Sequence, residues 1–177
     1  MLDVDINTNP WQPRLNIAIS QSVPVIKTAA GQPRLLMADW GFKAPWDPAK
    51  RIFNAMAETA AAKPTFRAAF NRGRCLMPAD GFYEWPGKKA TLIRFADERV
   101  FCFAGLCSGN QVTMLTCAPN EFMQPIHHRM PVILESDQWD RWLNPQATSE
   151  ELKSIISPRP WSDVVATPVG TIHHDAI

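Results

Sequence analysis

Sixteen prolines and eight glycines fall along the whole of this 177-residue chain, and they limit the length of every regular element it can form. Proline removes a backbone donor and glycine weakens an element's interior, so the runs between them must be short. They gather into no long low-complexity linker, and the chain has no repeat and no block of like charge, which leaves no natural division into two domains. One domain over 1–177 is expected, with an irregular segment at about 1–13, where Asn7, Asn9, Pro10 and Pro13 crowd together.

The runs between these breakers read mostly as strands. "NIAIS" and "VPVIK" predict short strands around Asn16 and Val25, and "RLLMADWGF" continues the pattern before a proline-containing loop, "KAPWDPAK". "PTFRAAFNRG" predicts a helix: Phe66, Ala69 and Phe70 share a face, Pro64 suits the first turn, Gly73 suits the end, and Arg67 and Arg72 point outward. "RCLMPADGFYEW" reads as two strands through a turn. "ATLIRF", "RVFCFAGLC" and "QVTMLTCA" have the rhythm of an antiparallel meander. "SDQWDRWL" and "SEELKSII" predict short helices, each opened by a serine suited to capping, and "DVVATPV" can close the sheet. The expected class is α+β, a mainly antiparallel, barrel-like sheet with short peripheral helices.

Composition narrows the function classes. With 46% hydrophobic and 20% charged residues the chain is ordinary globular material, no apolar run approaches a membrane span, and the first residues do not resemble a secretion signal. A soluble, cytoplasmic protein is expected. Cys75, Cys102, Cys107 and Cys117 sit in apolar strand-like runs, where reduced cysteine packs as a small hydrophobe. There is no CxxC, HExxH or Walker loop, so no metal and no cofactor are expected, a nucleotide included. The net charge of +1 hides an asymmetry: Lys43 to Arg99 holds eleven basic and six acidic residues, and residue 100 onward four basic and eight acidic. The first of these segments could offer a phosphate a positive surface, or simply a solvated face.

Three places could carry chemistry. In "GFYEW", alternation sets Phe82 and Glu84 on one side of a strand and Tyr83 and Trp85 on the other, with Trp85 expected in the core. A carboxylate partly desolvated by aromatics has a raised pKa and suits proton transfer near neutral pH, although an acid at a strand end reads equally as structural. In "QPIHHRMPVIL", His127 and His128 are expected to diverge, so that one of them can enter a cleft, and Arg129 suits a phosphate or carboxylate gripped by two parallel hydrogen bonds. In "FNAMAET", Asn54 could orient a sugar hydroxyl or turn the backbone. A metal held by His127 or His128 with His173, His174 and Asp175 lacks the spacing of a zinc motif. A cysteine nucleophile such as Cys75 is set against a core-strand context.

Together, "FNAMAETAAAKPTFRAAFNRGRCLMPADGFYEW", "TMLTCAPNEFMQPIHHRMPVIL" and "WGF" strongly resemble the SOS response-associated peptidase (SRAP) family over about Leu15 to Asn144. The resemblance implies a barrel-like mixed fold that acts as a monomer on single-stranded DNA carrying abasic sites, away from any membrane. By motif, Asn54 would position the abasic sugar, Glu84 would handle protons during Schiff-base formation, and His127 would assist ring opening. Asn16 matches the family's Tyr-Asn-x-Ala-Pro segment, Arg129 matches a phosphate contact, and Trp46 is suited to stacking on a base beside the lesion.

Family members begin Met-Cys-Gly-Arg, and the amine and thiol of that cysteine close a thiazolidine on the sugar aldehyde. This chain begins Met-Leu-Asp-Val, carries Met56 where the family has an arginine, and has Ala-Ile after Asn16 in place of Ala-Pro. The expectation is recognition of abasic sites without the thiazolidine crosslink, with a Schiff base at the Met1 amine as a residual activity. A cysteine-type peptidase or amidase, and a noncatalytic single-strand or partner-binding domain, stand as alternatives.

Overall fold

The computed structural model describes residues 12–170 and 172. The irregular segment expected at about 1–13 and the His173, His174 and Asp175 cluster therefore lie largely or wholly outside the described residues, as does Met1.

Strands β1 (Ser22–Ala29) and β2 (Gln32–Trp40) form a hairpin in register from Ser22↔Asp39 to Ala29↔Gln32. Its turn is Ala30–Gly31, both at positive φ, 51° and 78°. Strand β3 (Phe42–Ala44) and β4 (Asp47–Ile52) make a separate two-stranded ribbon. The sequence "KAPWDPAK" thus ends β3, turns at 45–46 and begins β4; Pro48 is tolerated because a two-stranded ribbon leaves donors unpaired anyway. A three-residue strand β5 (Asn54–Met56) runs directly into the one-turn helix α1 (Ala57–Ala60), and α2 follows at Pro64–Arg72. The expected features of α2 hold: Pro64 opens it, Gly73 ends it, Phe66, Ala69 and Phe70 are buried, and Arg67 and Arg72 are exposed.

Strands β6 (Arg74–Ala79) and β9 (Phe101–Ser108) pair antiparallel over six residues, and β9 pairs with β10 (Gln111–Cys117). β10 also lies parallel to β2, and β1 touches β6. The pairings β10, β2, β1, β6, β9 and back to β10 make a circuit that approximates a barrel, since β1 meets β6 and β10 meets β2 over only one and two residue pairs. Two short strands, β11 (Met130–Pro131) and β12 (Ile133–Leu134), join its margins. The strands β7 (Phe82–Glu84), β8 (Thr91–Phe95) and β13 (Val164–Pro168) form a second sheet in the order β13-β8-β7. The expected meander is therefore interrupted: β8 pairs with β7 and β13, not with β9. The expectation that "DVVATPV" closes a sheet holds for this smaller one.

Both faces of the main sheet are covered, which explains why β9 is a continuous apolar run. Leu76, Ala104, Leu106 and Leu115 pack with the helices, while Cys75, Met77, Phe101, Phe103 and Val112 fill the other core. Helices α3 (Ser136–Leu143) and α4 (Ser149–Ile156) sit on the first side. Their caps are not the serines. Gln138 Oε1 accepts from the Glu135 N–H at 3.1 Å, and Thr148 exchanges bonds with Glu151, so Ser136 and Ser149 are first helical residues.

Arg74 ties this layer to the sheet. It is 8% exposed, and it donates to the carbonyls of Trp142 (2.8 Å), Phe70 (2.8 Å) and Asn144 (2.6 Å), closing the C-terminal ends of α2 and α3 with one guanidinium. Desolvation lowers its pKa.

Near Asn16 the expected strand is absent. The backbone turns at Ser20, φ 72°, with the Gln21 N–H donating to Ala18 O and the Ala18 N–H to Gln21 Oε1, so 15–18 is irregular and 18–21 forms a compact turn leading into β1.

Candidate functional site

Asn54 is placed by the residue before it. Phe53 O accepts from the Trp40 indole N–H at 3.1 Å and from the Met114 N–H at 3.0 Å, fixing where β5 begins. β5 then lies parallel to the far end of β10, Met114↔Asn54 through Thr116↔Met56. Alternation buries Ala55 and leaves Asn54 and Met56 exposed on one face.

His127 is carried by a loop over 118–129 that is pinned at both ends. Met123, fully buried, anchors it in the core, Asn120 Oδ1 accepts from the Met123 N–H at 2.9 Å, and the His127 N–H donates to Met123 O at 2.9 Å. The chain bends at His128 rather than running extended, so the two imidazoles do not diverge as expected. Their rings lie 4.4 Å apart at 34°. His127 Nδ1 sits 3.1 Å from the Arg129 N–H and 2.9 Å from Arg129 O.

Glu84 is the last residue of β7, paired with Thr91 of β8. Phe82, on the same face, packs edge-on against Phe103 and Trp161. Burial raises the Glu84 pKa, opposed by the nearby charges of His127 and His128 and by the Trp85 N–H. The fold therefore brings Glu84, His127 and His128 into one electrostatic neighbourhood. On the opposite face Tyr83 and Trp85 neighbour each other, 6.5 Å between rings, but Trp85 is 54% exposed and is not core. β7 is the edge of its sheet, and on that face Tyr83 is half-buried while Trp85 stands open. The Tyr83 hydroxyl reaches Leu15 O at 3.5 Å, which sets the Asn16 segment beside β7; Asn16 itself is buried.

Arg129 has its fork filled. Nη1 donates to Glu58 Oε1 at 2.9 Å, and Nη2 donates to Glu58 Oε2 at 2.8 Å and to Thr116 O at 2.6 Å. Of the five guanidinium N–H groups, three are so used and Nε is buried without a partner among the described residues, leaving one on Nη1 to offer. The pair holds the Glu58 carboxyl below its ordinary range. Glu58 also accepts from the Ala118 N–H at 3.2 Å. Glu58 is the site residue that local pattern does not mark: its signal in the sequence is an acid in the first long motif and an arginine in the second.

Trp46 stands on the turn of the β3–β4 ribbon, 70% exposed. Among the described residues no hydrogen bond or ring contact joins it to Glu84 or His127. All four cysteines are free and buried; burial pushes Cys102 up to about 12 and Cys117 up to about 11, and Cys75 upward as well. Cys107 lies 3.2 Å from Cys75, and its pKa is lowered by that thiol. None is an accessible nucleophile. Among the described residues no cluster of three or more His, Cys, Asp or Glu could hold a metal ion, and no helix is long and apolar enough to cross a membrane.

The sequence profile of the family described as "SOS response associated peptidase (SRAP)" matches residues 2–172. The chain is 38% identical over 181 residues to the abasic site processing protein YoaM of Bacillus subtilis, covering 92% of this chain and 80% of that protein. It is 35% identical to the abasic site processing protein YoqW of Bacillus phage SPbeta, over 97% of this chain and 85% of the relative. A chicken protein, abasic site processing protein HMCES, is 29% identical over 91% of this chain and 62% of its own length. Among solved structures, a phage-related protein from Bordetella bronchiseptica superposes with a TM-score of 0.76 at 24% identity, over 92% of this chain and 84% of that one. A protein from Bacteroides thetaiotaomicron gives the same TM-score, 0.76, over 85% of this chain and 75% of its own.

Proposed function

Since the chain belongs to the SOS response-associated peptidase (SRAP) family, we propose that it recognises abasic sites in single-stranded DNA as part of a DNA-damage response, with Asn54, Glu84 and His127 handling the exposed sugar. The observation that carries this reading is the convergence of Glu84, half-buried at the end of β7, with His127 on its pinned loop, where burial raises the carboxyl's pKa against the opposing charge of the imidazole. A carboxyl and an imidazole so placed can pass protons to and from a sugar between them, which is what opening an abasic sugar requires.

The sugar of an abasic site is a cyclic hemiacetal. Its opening breaks the C1′–O4′ bond while the C1′ hydroxyl loses a proton and O4′ gains one, an exchange assigned to His127 Nε2. Asn54, exposed on β5, hydrogen-bonds the sugar hydroxyls. If a primary amine reaches the resulting aldehyde, nitrogen adds to C1′ and the hydroxyl leaves as water to give an imine. Protonated Glu84 supplies the proton to that departing hydroxyl and takes one from nitrogen.

The strand itself is held by contacts that do not read sequence. Trp46, exposed on its ribbon, stacks on a base beside the lesion, Arg129 contributes its charge and one N–H to a phosphate, and Asn16, buried beside β7, acts on the strand only by supporting the segment that borders it. The protein acts as a monomer, and in the cytoplasm; four free cysteines suit a reducing compartment and support the second reading alone. A cysteine peptidase reading finds no support, because every thiol is buried.

The test is a competition at fixed salt between an oligonucleotide with one abasic site and the same strand intact. The abasic strand is expected to bind about tenfold more tightly, and equal binding refutes lesion recognition.

A further inference from the structure

His127 Nδ1 has two partners on one residue, the Arg129 N–H at 3.1 Å and the Arg129 C=O at 2.9 Å. A neutral ring satisfies only one of them. If Nδ1 accepts from the N–H, the proton sits on Nε2; if Nδ1 donates to the carbonyl, Nε2 keeps its lone pair. A small displacement of the Arg129 backbone therefore decides whether Nε2 offers a proton or receives one.

Glu58 restrains that displacement. Its two carboxylate oxygens take Arg129 Nη1 and Nη2 in parallel at 2.9 and 2.8 Å, and Oε1 also takes the Ala118 N–H at 3.2 Å. Arg129 Nη2 is fixed from its other side by Thr116 O at 2.6 Å. Glu58 thus ties α1, the end of β10 and both ends of the loop that carries His127 into one network. The two parallel hydrogen bonds make this partly exposed pair more directional than one held by a single contact. It also spends most of the arginine's fork on protein, leaving one Nη1 N–H for DNA.

We propose that Glu58 is a positioning residue of the site: through Arg129 it fixes a single tautomer of His127, and through that tautomer it sets the proton exchange at Nε2. The catalytic consequence rests on the abasic-site reading above; the tautomer does not.

The experiment separates the two. The protein is labelled with nitrogen-15 histidine, and the His127 ring nitrogens, assigned by their loss in His127→Gln, are read at about pH 8, above the ordinary imidazole titration. The wild type is expected to show one protonated and one unprotonated nitrogen. In Glu58→Gln, which keeps the size and loses the charge, the two signals are expected to move toward their mean. Glu58→Asp, shorter by one methylene, is expected to do the same, and it serves if the glutamine variant does not fold. Arg129→Ala is expected to mix the tautomers alone, with Glu58→Gln adding nothing in the double variant. On abasic DNA, Glu58→Gln is expected to lose about tenfold or more in rate of imine formation, trapped by borohydride, while affinity changes less than about twofold. Retention of a single tautomer in a folded Glu58 variant overturns the proposal. Tautomer mixing with no imine in the wild type and equal binding of abasic and intact strands leaves the positioning role standing and refutes the functional reading instead.

Discussion

Glu84 and His127 come from a sheet edge and a pinned loop, and the folded chain sets the imidazole where its charge opposes the burial that raises the carboxyl's pKa. A carboxyl whose folded pKa lies above its unfolded value binds more protons in the native state, so stability falls as pH rises from the unfolded value through the folded one. Ionised Glu84 therefore costs stability at neutral pH. Glu84→Gln is expected to melt above the wild type at pH 7, with the difference closing below about pH 4, where both states are protonated. Melting curves across that range check it, and a gain that persists in acid assigns the effect to packing.

Arg74 is the opposite case, a buried charge that the helix ends require. Its removal leaves the carbonyls of Trp142, Phe70 and Asn144 without a donor. Arg74→Met is expected to cost about 3 kcal/mol and to lower Tm by roughly 6–12 °C. Arg74→Lys is expected to recover little, since an ammonium cannot span three carbonyls on two helices. Thermal or urea unfolding decides; a loss under about 1 kcal/mol means water replaces the fork.

Trp46 is exposed enough that its substitution separates binding from folding. Trp46→Ala is expected to weaken single-strand binding by about 1–3 kcal/mol with Tm unchanged and with the salt dependence of binding parallel to the wild type. A changed salt slope would show that the ribbon's cations, Lys43 and Arg51, had moved with it.

Asn54→Ala tests the sugar contact. Asn54 is exposed and its side chain has no hydrogen bond among the described residues, so folding is expected to be unaffected while abasic-site reaction slows by about tenfold. A loss of Tm instead makes Asn54 a structural residue of β5.

Much of this arrangement was readable from local pattern. Helix α2 announced itself through Pro64, Gly73 and the Phe66–Ala69–Phe70 face, and the continuous apolar run of β9 followed from a strand buried on both sides. Pairing partners were not readable, because alternation says which face a residue takes and not which strand lies beside it; hence β8, with a good strand pattern, joins β7 and β13 instead of β9. Trp85 is open for a different reason: it follows the last residue of β7, beyond the ladder with β8, and alternation says which side a residue takes and not whether anything packs there. At the site, the motifs marked Asn54, Glu84 and His127, whereas the Glu58–Arg129 clamp needed the fold, since its partners lie in different motifs and meet only at the end of β10. His127 and His128 stack because the chain bends there, and a bend without Gly or Pro of its own leaves no mark in the sequence.

The central claim, that Glu84 and His127 form a site for the abasic sugar, is tested most directly by measuring the ratio of affinities for abasic and intact single strands, at one salt concentration, in the wild type, Glu84→Gln and His127→Ala. The account predicts a ratio of about ten in the wild type and near one in both variants, with binding to the intact strand unchanged. A wild-type ratio of one, or a preference that survives both substitutions, contradicts it.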